Sequence, residues 1–477
     1  MPISSAGVGS GLDVQSIVTQ LMNIEKQPLT QLQTKASSLQ TKLSAYGSVK
    51  SGLSGLQDAA AKLLDTSSWK AKTFTSNNTA AVTGSATTGA LATSFGLKIN
   101  DLAQVQSARS AGIATGSQIG SAGRLDIQLG QWSGTSFGTP SSSVSVTVAA
   151  TDTLADIATK INSGGAGVTA VVVKTGTNDQ LLLRGNTTGA ASGFQVKSFD
   201  GSGTEITDGT TGVGKLAYGY SSTNPIPGFF GMTQTQAAMD ANIEIDGIAV
   251  TSASNTVSNA VPGITLNLLA KTTTAAAITV GDDTAAIKSK IEAFQTAFNK
   301  VASTLADLTK YDAATKKAGA LQGDSSAVGL QSVLRSMLGA NGPSGTTFNR
   351  MSDVGLEMQR DGTLSINSTK LDAALKKLPD LNTFFSASTG SSATDGMAKR
   401  INTFIQQVNG VDGSVSGRSS ALKESISRNS KDQDAMNVRL SQRQAALYKQ
   451  YTALDTKMGT LSSMSSFITQ QVTQWNK

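Results

Sequence analysis

The chain has 477 residues, no cysteine and no histidine, and a net charge of +7. Its length predicts three or four domains. The missing residue types exclude thiolate chemistry, disulfides, zinc sites built from cysteine and histidine, and catalytic triads that need imidazole. We therefore expect no enzyme active site, no metal and no cofactor.

The positive excess lies at the two ends of the chain. Residues 1–64 contain five basic and three acidic residues, and residues 395–477 contain eleven basic and six acidic residues, whereas residues 65–394 are neutral. Basic helices can bind nucleic acid or anionic lipid. Here the basic residues near the C-terminus alternate with Gln and Ser and do not cluster with aromatic residues. That spacing favours solvated coiled-coil faces, or salt-sensitive contacts between subunits, over nucleic-acid binding.

The sequence shows neither a membrane span nor a cleavable signal peptide. No segment reaches the ~18 apolar residues that cross a bilayer. A secretory signal requires a basic start followed by a continuous apolar region. The first 25 residues contain no Lys or Arg and no such apolar region. We expect no membrane insertion, and any export would use another route.

The N-terminal end predicts a leader and two helices. Pro2–Gly11 is rich in Ser and Gly and is interpreted as a flexible leader, because a phosphate loop would need a preceding strand and a following lysine. Pro28 separates the two helices, since proline is tolerated in a first turn but breaks a helix interior. Apolar residues recur at three and four positions in both helices: Val14, Ile17, Leu21 and Ile24, then Leu39, Leu43, Tyr46, Val49, Leu53, Leu56, Ala60 and Leu63.

From Phe95 to Val280 the pattern is mostly that of β-strands, with apolar residues at alternate positions. Asp246-Gly247, between two such runs, predicts a tight hairpin. Residues 200–224, crowded with Gly, Ser and Thr, predict exposed loops that end at Pro225 and Pro227.

One short helix interrupts this β region, over Thr153–Ile161. Asp152 and Asp156 lie four residues apart near its start. A carboxylate pair could serve general acid–base catalysis, but acidic residues are also stabilising at helix N-termini. We interpret both as helix-start charges.

Helical patterns return after Asp283. The longest carries apolar residues spaced four and three apart from Ile287 to Leu308. Asp361-Gly362 predicts a second hairpin between Leu356 and Ile366. Three shorter helices are predicted, the second ending at Pro379: Val328–Leu338, Leu371–Leu378 and Met397–Val408.

A seven-residue apolar period marks the C-terminal end. Its members are Ile426, Gln433, Leu440, Leu447, Leu454, Leu461 and Ile468, of which only Gln433 is polar. This narrow stripe is typical of a coiled-coil seam. A helix over Ser419–Trp475 would be roughly 85 Å long and cannot fold over its own core. An ordinary core helix is the alternative, and the length of the seam argues against it.

The predicted fold class is a multidomain α+β protein in which a coiled-coil terminal stalk carries nested, inserted antiparallel β domains. We expect terminal coiled-coil segments over 1–40 and 425–477, and a helical leg domain over 41–75 and 282–424. An inner β domain is expected over 76–110 and 237–281, and a distal inserted β domain over 111–236. The predicted assembly seam consists of Ile17, Leu21, Leu39, Leu43, Leu53, Ile426, Leu440, Leu447, Leu454, Leu461 and Ile468.

These pieces, in this order, resemble the bacterial flagellar filament cap family, also called hook-associated protein 2. The opening segment looks like the family's N-terminal signature, and one internal segment resembles a motif shared by flagellar axial proteins. The others match the central and C-terminal parts of the family. The segments are Ser4–Leu29, Thr153–Val173, Ala241–Leu269, Leu321–Leu338, Asp353–Asn367 and Gln450–Gln471.

The resemblance implies a secreted, extracellular structural protein at the filament tip. Cap proteins of this family form a homo-oligomer, described as a pentamer, that prevents the leakage of exported flagellin and promotes its polymerisation. Filament elongation and motility depend on them, and some contribute to adhesion. Export through the flagellar type III channel would need no cleaved signal peptide. The implied partners are other copies of the chain, flagellin and an export chaperone on the C-terminal helix.

Two alternatives remain open at this stage. A flagellin-like or hook–filament junction subunit would also combine coiled ends with β domains, but its terminal motifs differ from those of Ser4–Leu29 and Gln450–Gln471. A secreted glycan-binding adhesin, or a hydrolase, could be built on the β domains, yet the sequence offers only scattered carboxylates for hydrolysis.

Overall fold

A computed structural model describes residues 13–221, 228–391 and 393–475. The predicted leader Pro2–Gly11 and the predicted loop ends at Pro225 and Pro227 lie outside these residues. The chain divides into two compact units. One unit combines Met1–Trp69 with Thr284–Lys477, and the other is Lys70–Asp283. We call them the helical unit and the β unit.

The α-helices of the described residues are α1 Val14–Glu25, α2 Gln27–Leu64, α3 Thr66–Trp69, α4 Leu154–Ser163, α5 Thr284–Thr309, α6 Ser325–Gly339, α7 Ser368–Ala374, α8 Leu378–Ser386, α9 Met397–Asn409 and α10 Ser414–Trp475.

The strands are β1 Lys72–Ser76, β2 Val82–Ala86, β3 Thr93–Asp101, β4 Ser107–Arg109, β5 Ile113–Ala114, β6 Gly123–Gly130, β7 Trp132–Ser133, β8 Ser136–Phe137, β9 Ser142–Val148, β10 Val168–Thr175, β11 Asn178–Gly185, β12 Gly193–Asp200, β13 Glu205–Ile206, β14 Tyr218–Ser221, β15 Gly228–Gly231, β16 Thr233–Gln236, β17 Ala241–Ile245, β18 Ile248–Ser252, β19 Thr256–Ser258, β20 Ile264–Leu268, β21 Ala276–Asp282, β22 Tyr311–Asp312, β23 Lys317–Ala318, β24 Leu356–Met358 and β25 Leu364–Ile366.

The helical unit is built around α2, whose C-terminal half packs against α5, α8 and α9. The apolar positions predicted on α2 and α5 form one core with α6 to α9. Large side chains that are fully buried in it are Tyr46, Leu53, Phe294, Phe298, Phe384 and Phe385. Proline 28 lies in the first turn of α2, as expected, and α1 ends at Glu25 just before it. The long C-terminal helix α10 has 62 residues, which is roughly 93 Å.

The prediction of a helix over Leu371–Leu378 that ends at Pro379 was wrong. Helix α7 stops at Ala374, and Pro379 lies in the first turn of α8. Proline is favoured in a first turn because the N–H that it lacks would have no partner there. This proline therefore starts a helix, and Leu381, Phe384 and Phe385 of α8 are buried in the core.

The β unit contains two hydrophobic cores, one inserted in the other along the chain. The sheet β1-β21-β3-β17-β18 and the sheet β19-β20-β2 enclose the first core, so its strands come from both ends of the unit. Between those ends, α4 and the sheets β10-β11-β4-β16 and β15-β14-β12-β6-β9 enclose the second core. All of the pairings are antiparallel, so the predicted fold class is confirmed. The four predicted domain boundaries remain a prediction.

Both predicted hairpins form. Strands β17 and β18 pair Ile245 with Ile248 across Asp246-Gly247, whose positive φ angles of 48° and 84° are those that a tight hairpin turn needs. Strands β24 and β25 pair across Asp361-Gly362.

The prediction of exposed loops over residues 200–224 holds for residues 201–211, which are exposed or half-buried and carry only the short strand β13, and was wrong for the described residues that follow. A 3₁₀ helix over Gly212–Leu216 and strand β14 lie there, and Val213, Leu216 and Tyr218 are buried in the second core.

Candidate assembly interface

The two ends of the chain pack together in the helical unit. Helix α1 buries Val14, Val18 and Met22 against Leu440 and Leu447 of α10. Helix α1 is capped at its start, because the Asp13 carboxylate accepts a hydrogen bond from the Ser16 N–H (2.8 Å). The N-terminal and C-terminal helices therefore form a common helical pair.

A buried polar cluster fixes the first turns of α10 to the rest of the helical unit. Tyr46 Oη donates to Asp324 Oδ1 (2.7 Å), and Arg418 Nη2 donates to Asp324 Oδ2 (3.1 Å). The same carboxylate caps α6 by accepting from the Ser326 and Ala327 N–H groups. Residues from α2, α6 and α10 thus meet at one charge. Sequence reasoning placed Tyr46 only in an apolar stripe, and Asp324 just before a helix was the available signal for a cap.

The cluster shifts the ionisation of its members. Burial disfavours the charged form of Asp324, but the hydrogen bonds from Tyr46, Arg418 and Ala327 outweigh it and hold the pKa of this carboxyl below its usual value. Burial raises the pKa of Tyr46 to about 12, and the Asp324 carboxylate adds to the shift. The pair is therefore a tyrosine hydroxyl donating to a carboxylate across the neutral pH range.

The structure separates the predicted seam residues into three groups. Leu39, Leu43 and Leu53 belong to the core of the helical unit, Leu53 fully buried and the other two partly so. Leu440 and Leu447 are buried against α1, where Leu21 also packs, and Ile17 and Ile426 are half-buried on α1 and α10. Leu454, Leu461 and Ile468 are 44%, 60% and 55% exposed. The seam as a set of assembly contacts therefore remains a prediction.

The last part of α10 carries a row of exposed apolar side chains, which we call the distal stripe. It consists of Leu454, Met458, Leu461, Met464, Phe467, Ile468, Val472 and Trp475, each at least 44% exposed. Four of them, beginning with Leu454 and ending with Trp475, continue the seven-residue period of the buried Leu440 and Leu447. Side chains of this seven-residue period are thus buried against α1 at Leu440 and Leu447 and exposed to solvent from Leu454 onwards.

A buried polar residue, Asn429, lies on α10 between Leu422 of the core and Leu440 of the helical pair. Asn429 is 3% exposed, and its side-chain oxygen accepts from Gln433 Nε2 (2.6 Å). Its Nδ2 has no hydrogen-bond partner among the described residues. A buried asparagine in a coiled coil fixes the register of the helices at a cost in stability, so this position favours one alignment of α10.

The described residues bear on three expectations drawn from the sequence, which concern a metal site, a membrane span and an acidic pair. Among them no group of three or more acidic side chains could hold a metal ion. None of the helices in the described part of the chain is long and apolar enough to cross a bilayer. The acidic pair predicted at α4 is structural, since Asp156 completes a capping box with Thr153 and Asp152 bonds to Lys160.

Three family models match the sequence. Residues 10–106 match the N-terminal model of flagellar hook-associated protein 2, and residues 238–463 match its C-terminal model. Between them, residues 133–187 match the flagellin hook IN motif. The motif therefore contains Thr153–Val173, the segment whose likeness to flagellar axial proteins was expected from the sequence.

Full-length relatives and a solved structure agree with these matches. The A-type flagellar hook-associated protein 2 of Pseudomonas aeruginosa is 30% identical over 97% of this chain and 96% of its own length. That of Escherichia coli K12 is 30% identical, with 98% of each chain covered. The crystal structure of the flagellar cap protein FliD D1-D2-D3 domains from Escherichia coli superposes with a TM-score of 0.57 at 26% identity, covering 80% of this chain and 99% of that one.

The fold and these matches thus define a structural protein of the bacterial flagellum, a filament cap. The chain belongs to the flagellar hook-associated protein 2 family. The resemblance seen in the sequence is confirmed, and neither the flagellin-like or junction subunit nor the glycan-binding adhesin is favoured.

Proposed function

We propose that the chain caps the distal tip of the flagellar filament as a homo-oligomer, in which the distal stripe of each subunit packs on a neighbouring subunit. The single observation that carries this proposal is the exposure of eight large apolar side chains on the last part of α10. Burying such a side chain stabilises by ~1.5–3 kcal/mol, so a second helix on the stripe supplies a strong driving force. A pentamer is the subunit number that the family resemblance implies.

The period of the stripe supports another helix as its occupant. Apolar residues seven apart make a seam that fits a second helix of the same period, and a strict period supports supercoiling. Other copies of this chain provide that period on their own α10. Lys457 lies between the apolar positions of the stripe and Lys449 just before it. In such a bundle their charges stay in solvent and give the assembly a dependence on salt.

A cap of this kind acts as a physical barrier at the filament end and needs no catalysis. Subunits joined through α10 close the end of the filament, retain exported flagellin and give it a place to fold and insert. Export through the flagellar type III channel without a cleaved signal peptide, with a chaperone on the exposed apolar face of α10 beforehand, completes the proposed path to an extracellular tip. We propose no enzymatic activity for the chain, and a contribution of the β unit to adhesion is secondary.

Leu454→Asp tests the proposal, because it puts a charge into the stripe without changing a side chain of the core of the helical unit or of the two cores of the β unit. We expect short or absent filaments, lost swimming and unpolymerised flagellin in the medium, with an unchanged melting temperature of the purified protein. Thr456→Asp is the matched control, since it adds the same charge at an exposed position across the helix from Leu461. Normal filaments with Leu454→Asp would sink the proposal, and immunogold labelling along the shaft or at the base would identify a filament or junction subunit instead.

A further inference from the structure

The helical unit contains a cleft that has no part in the helical pair. Its volume is about 1300 Å³, and it opens beside the end of α6 and one face of α9. Met337 and Phe404 supply partly exposed apolar wall, and Thr403, Arg350 and Arg400 supply polar wall. A space of this size exceeds what a small ion needs and suits part of a peptide.

Arg400 is the unusual member of this wall. It is only 5% exposed, and its described hydrogen bonds go to neutral groups. Nε donates to the carbonyl oxygen of Asp395 and Nη2 to that of Asn341, both at 2.7 Å. Neither bond uses Nη1. Two loops are thereby held together by a guanidinium group that still has donors for a ligand in the cleft.

The guanidinium charge has no paired carboxylate among the described residues. The Asp395 carboxylate accepts from the Thr389 N–H (2.6 Å). Asp353, the acid in the cleft wall, accepts from the Asn349 and Arg350 N–H groups (both 2.9 Å). Both acids are thus occupied by backbone donors. The charge of Asp395 acts on Arg400 only without a direct bond. A buried cation that bonds no anion is costly, while a forked guanidinium is well shaped to bind a carboxylate. An anion entering the cleft would relieve that cost.

We propose that this cleft binds an acidic peptide segment of another protein chain, with a carboxylate on Arg400 and an adjacent apolar side chain against Met337 and Phe404. Arg350, exposed at the same cleft, adds a second positive charge. The apolar wall distinguishes a peptide from inorganic phosphate, which would use only the charges. The site goes beyond the proposed assembly through α10 and does not depend on it.

Binding is tested on the full chain with two capped tripeptides, acetyl-Leu-Glu-Phe-amide and acetyl-Leu-Gln-Phe-amide, in calorimetric titrations with inorganic phosphate as a third probe. We expect the glutamate peptide to bind about tenfold or more tighter than the glutamine peptide, which corresponds to a single charge-assisted contact. Equal affinity of the two peptides, or no binding of either, would overturn the proposal. Phosphate binding as tightly as the glutamate peptide would show a simple anion site and would also overturn it.

A substitution on α9 tests whether the peptide binds in this cleft. Because Arg400→Gln would also release the two loops, Thr403→Glu is the informative variant: it lies three residues further along the helix and carries a carboxylate toward the guanidinium. We expect its melting temperature to rise by about 2–4 °C, as for a modest gain in stability, and glutamate-peptide binding to be lost. Thr403→Gln is the matched control and should change neither quantity. Unchanged peptide binding by Thr403→Glu, or loss with Thr403→Gln as well, would contradict the assignment.

Discussion

At the scale of single residues, Asp324 has more structural roles than any other carboxylate described above. It caps α6, accepts from Tyr46 of α2 and pairs with Arg418 of α10. Its side chain is 4% exposed, whereas that of Arg418 is 44% exposed. The carboxylate is thus a buried charge whose several donors compensate for lost hydration.

We predict that Asp324→Asn lowers the free energy of unfolding of the helical unit by about 1–3 kcal/mol at pH 7, because a charge-assisted acceptor becomes neutral while its donors remain buried. The half-exposed Arg418 keeps the loss at the lower end of buried ion pairs. Urea unfolding, followed by the circular dichroism signal of the α-helices, measures this change in the free energy of unfolding. Asp307→Asn is the control, since its pair with Lys310 is exposed on both sides, and should cost less than about 0.5 kcal/mol.

The same substitution has a defined dependence on pH. The folded pKa of Asp324 is depressed, so its contribution is complete above the unfolded value of ~3.9 and is lost as pH falls through the folded value. The difference between wild type and Asp324→Asn should therefore shrink below pH ~4. Tyr46 acts in the opposite range: its pKa is raised to about 12, so stability falls as pH rises from ~10 toward that value. A constant difference down to acid pH would show that charge is unimportant at this cluster.

At the scale of elements, one side chain of α4 protects the edge of a sheet. β10 is the edge strand of its sheet, and Asn162 lies against that edge. Its Nδ2 donates to the carbonyl oxygen of Ala170 and its Oδ1 accepts from the Ala170 N–H, both at 2.8 Å. The carboxamide therefore takes the place of a neighbouring strand at one residue, and exposed sheet edges are sites where other chains can add.

Asn162→Ala should destabilise the β unit by about 1–3 kcal/mol, because the buried Ala170 loses partners for both backbone groups. Asn162→Asp should cost less than the alanine variant, since it still accepts from the N–H but cannot donate to the carbonyl. Thermal melts and light scattering after heating measure stability and association. An alanine variant as stable as wild type, with no added scattering, would mean that water replaces the carboxamide without loss.

Elements with a strong period were predictable from the sequence. The seven-residue spacing found α10, and the Asp246-Gly247 turn found its hairpin, because both signals are local. The helix split at Pro379 and the burial of Val213 and Leu216 were missed, since each depends on contacts with residues distant in sequence. Pairings such as Phe74 with Val280 join strands about two hundred residues apart and leave no local trace.

The residues of the candidate interface were likewise only partly predictable from the sequence. Its exposed leucines were found by spacing alone, but spacing did not distinguish Leu53, which lies in a core, from Leu461, which is exposed. Arg400 was not found at all. Its neutral partners come from two loops, Asn341 and Asp395, and their meeting is visible only in the folded chain.

At the scale of the whole molecule, the β unit is an insertion with its two ends side by side. The chain enters after Trp69 and leaves before Thr284, and β1 pairs with β21 from Lys72–Asp282 to Ser76–Ile278. The Lys72 ammonium and the Asp282 carboxylate lie 2.6 Å apart at this junction. Adjacent ends and separate cores are what an independently folding inserted domain requires.

We predict that a fragment of residues 70–283 folds on its own, with a cooperative melt and β-type circular dichroism. Its two cores include no residue of the helical unit, so cutting the chain at Lys70 and Asp283 removes none of the core side chains. Well-dispersed amide resonances in a two-dimensional NMR spectrum would support this result. A fragment that stays unfolded, or melts far below the β unit of the intact chain, would show that the helical unit is needed to hold the strand ends together.

Because α10 is one continuous helix, the packing of its N-terminal turns in the core sets the direction in which the side chains of its C-terminal turns point. Val415 and Leu422 fix the helix in the core, and the backbone continues as one helix from Ser414 to Trp475. Each added residue would turn everything beyond it by ~100° and advance it by ~1.5 Å. One extra residue would aim the apolar row at a different neighbour, whereas seven would restore its aim and displace it by ~10 Å. The length of this helix therefore tolerates insertions only in steps of seven residues, and in the proposed homo-oligomer a subunit with any other insertion would not fit its neighbours.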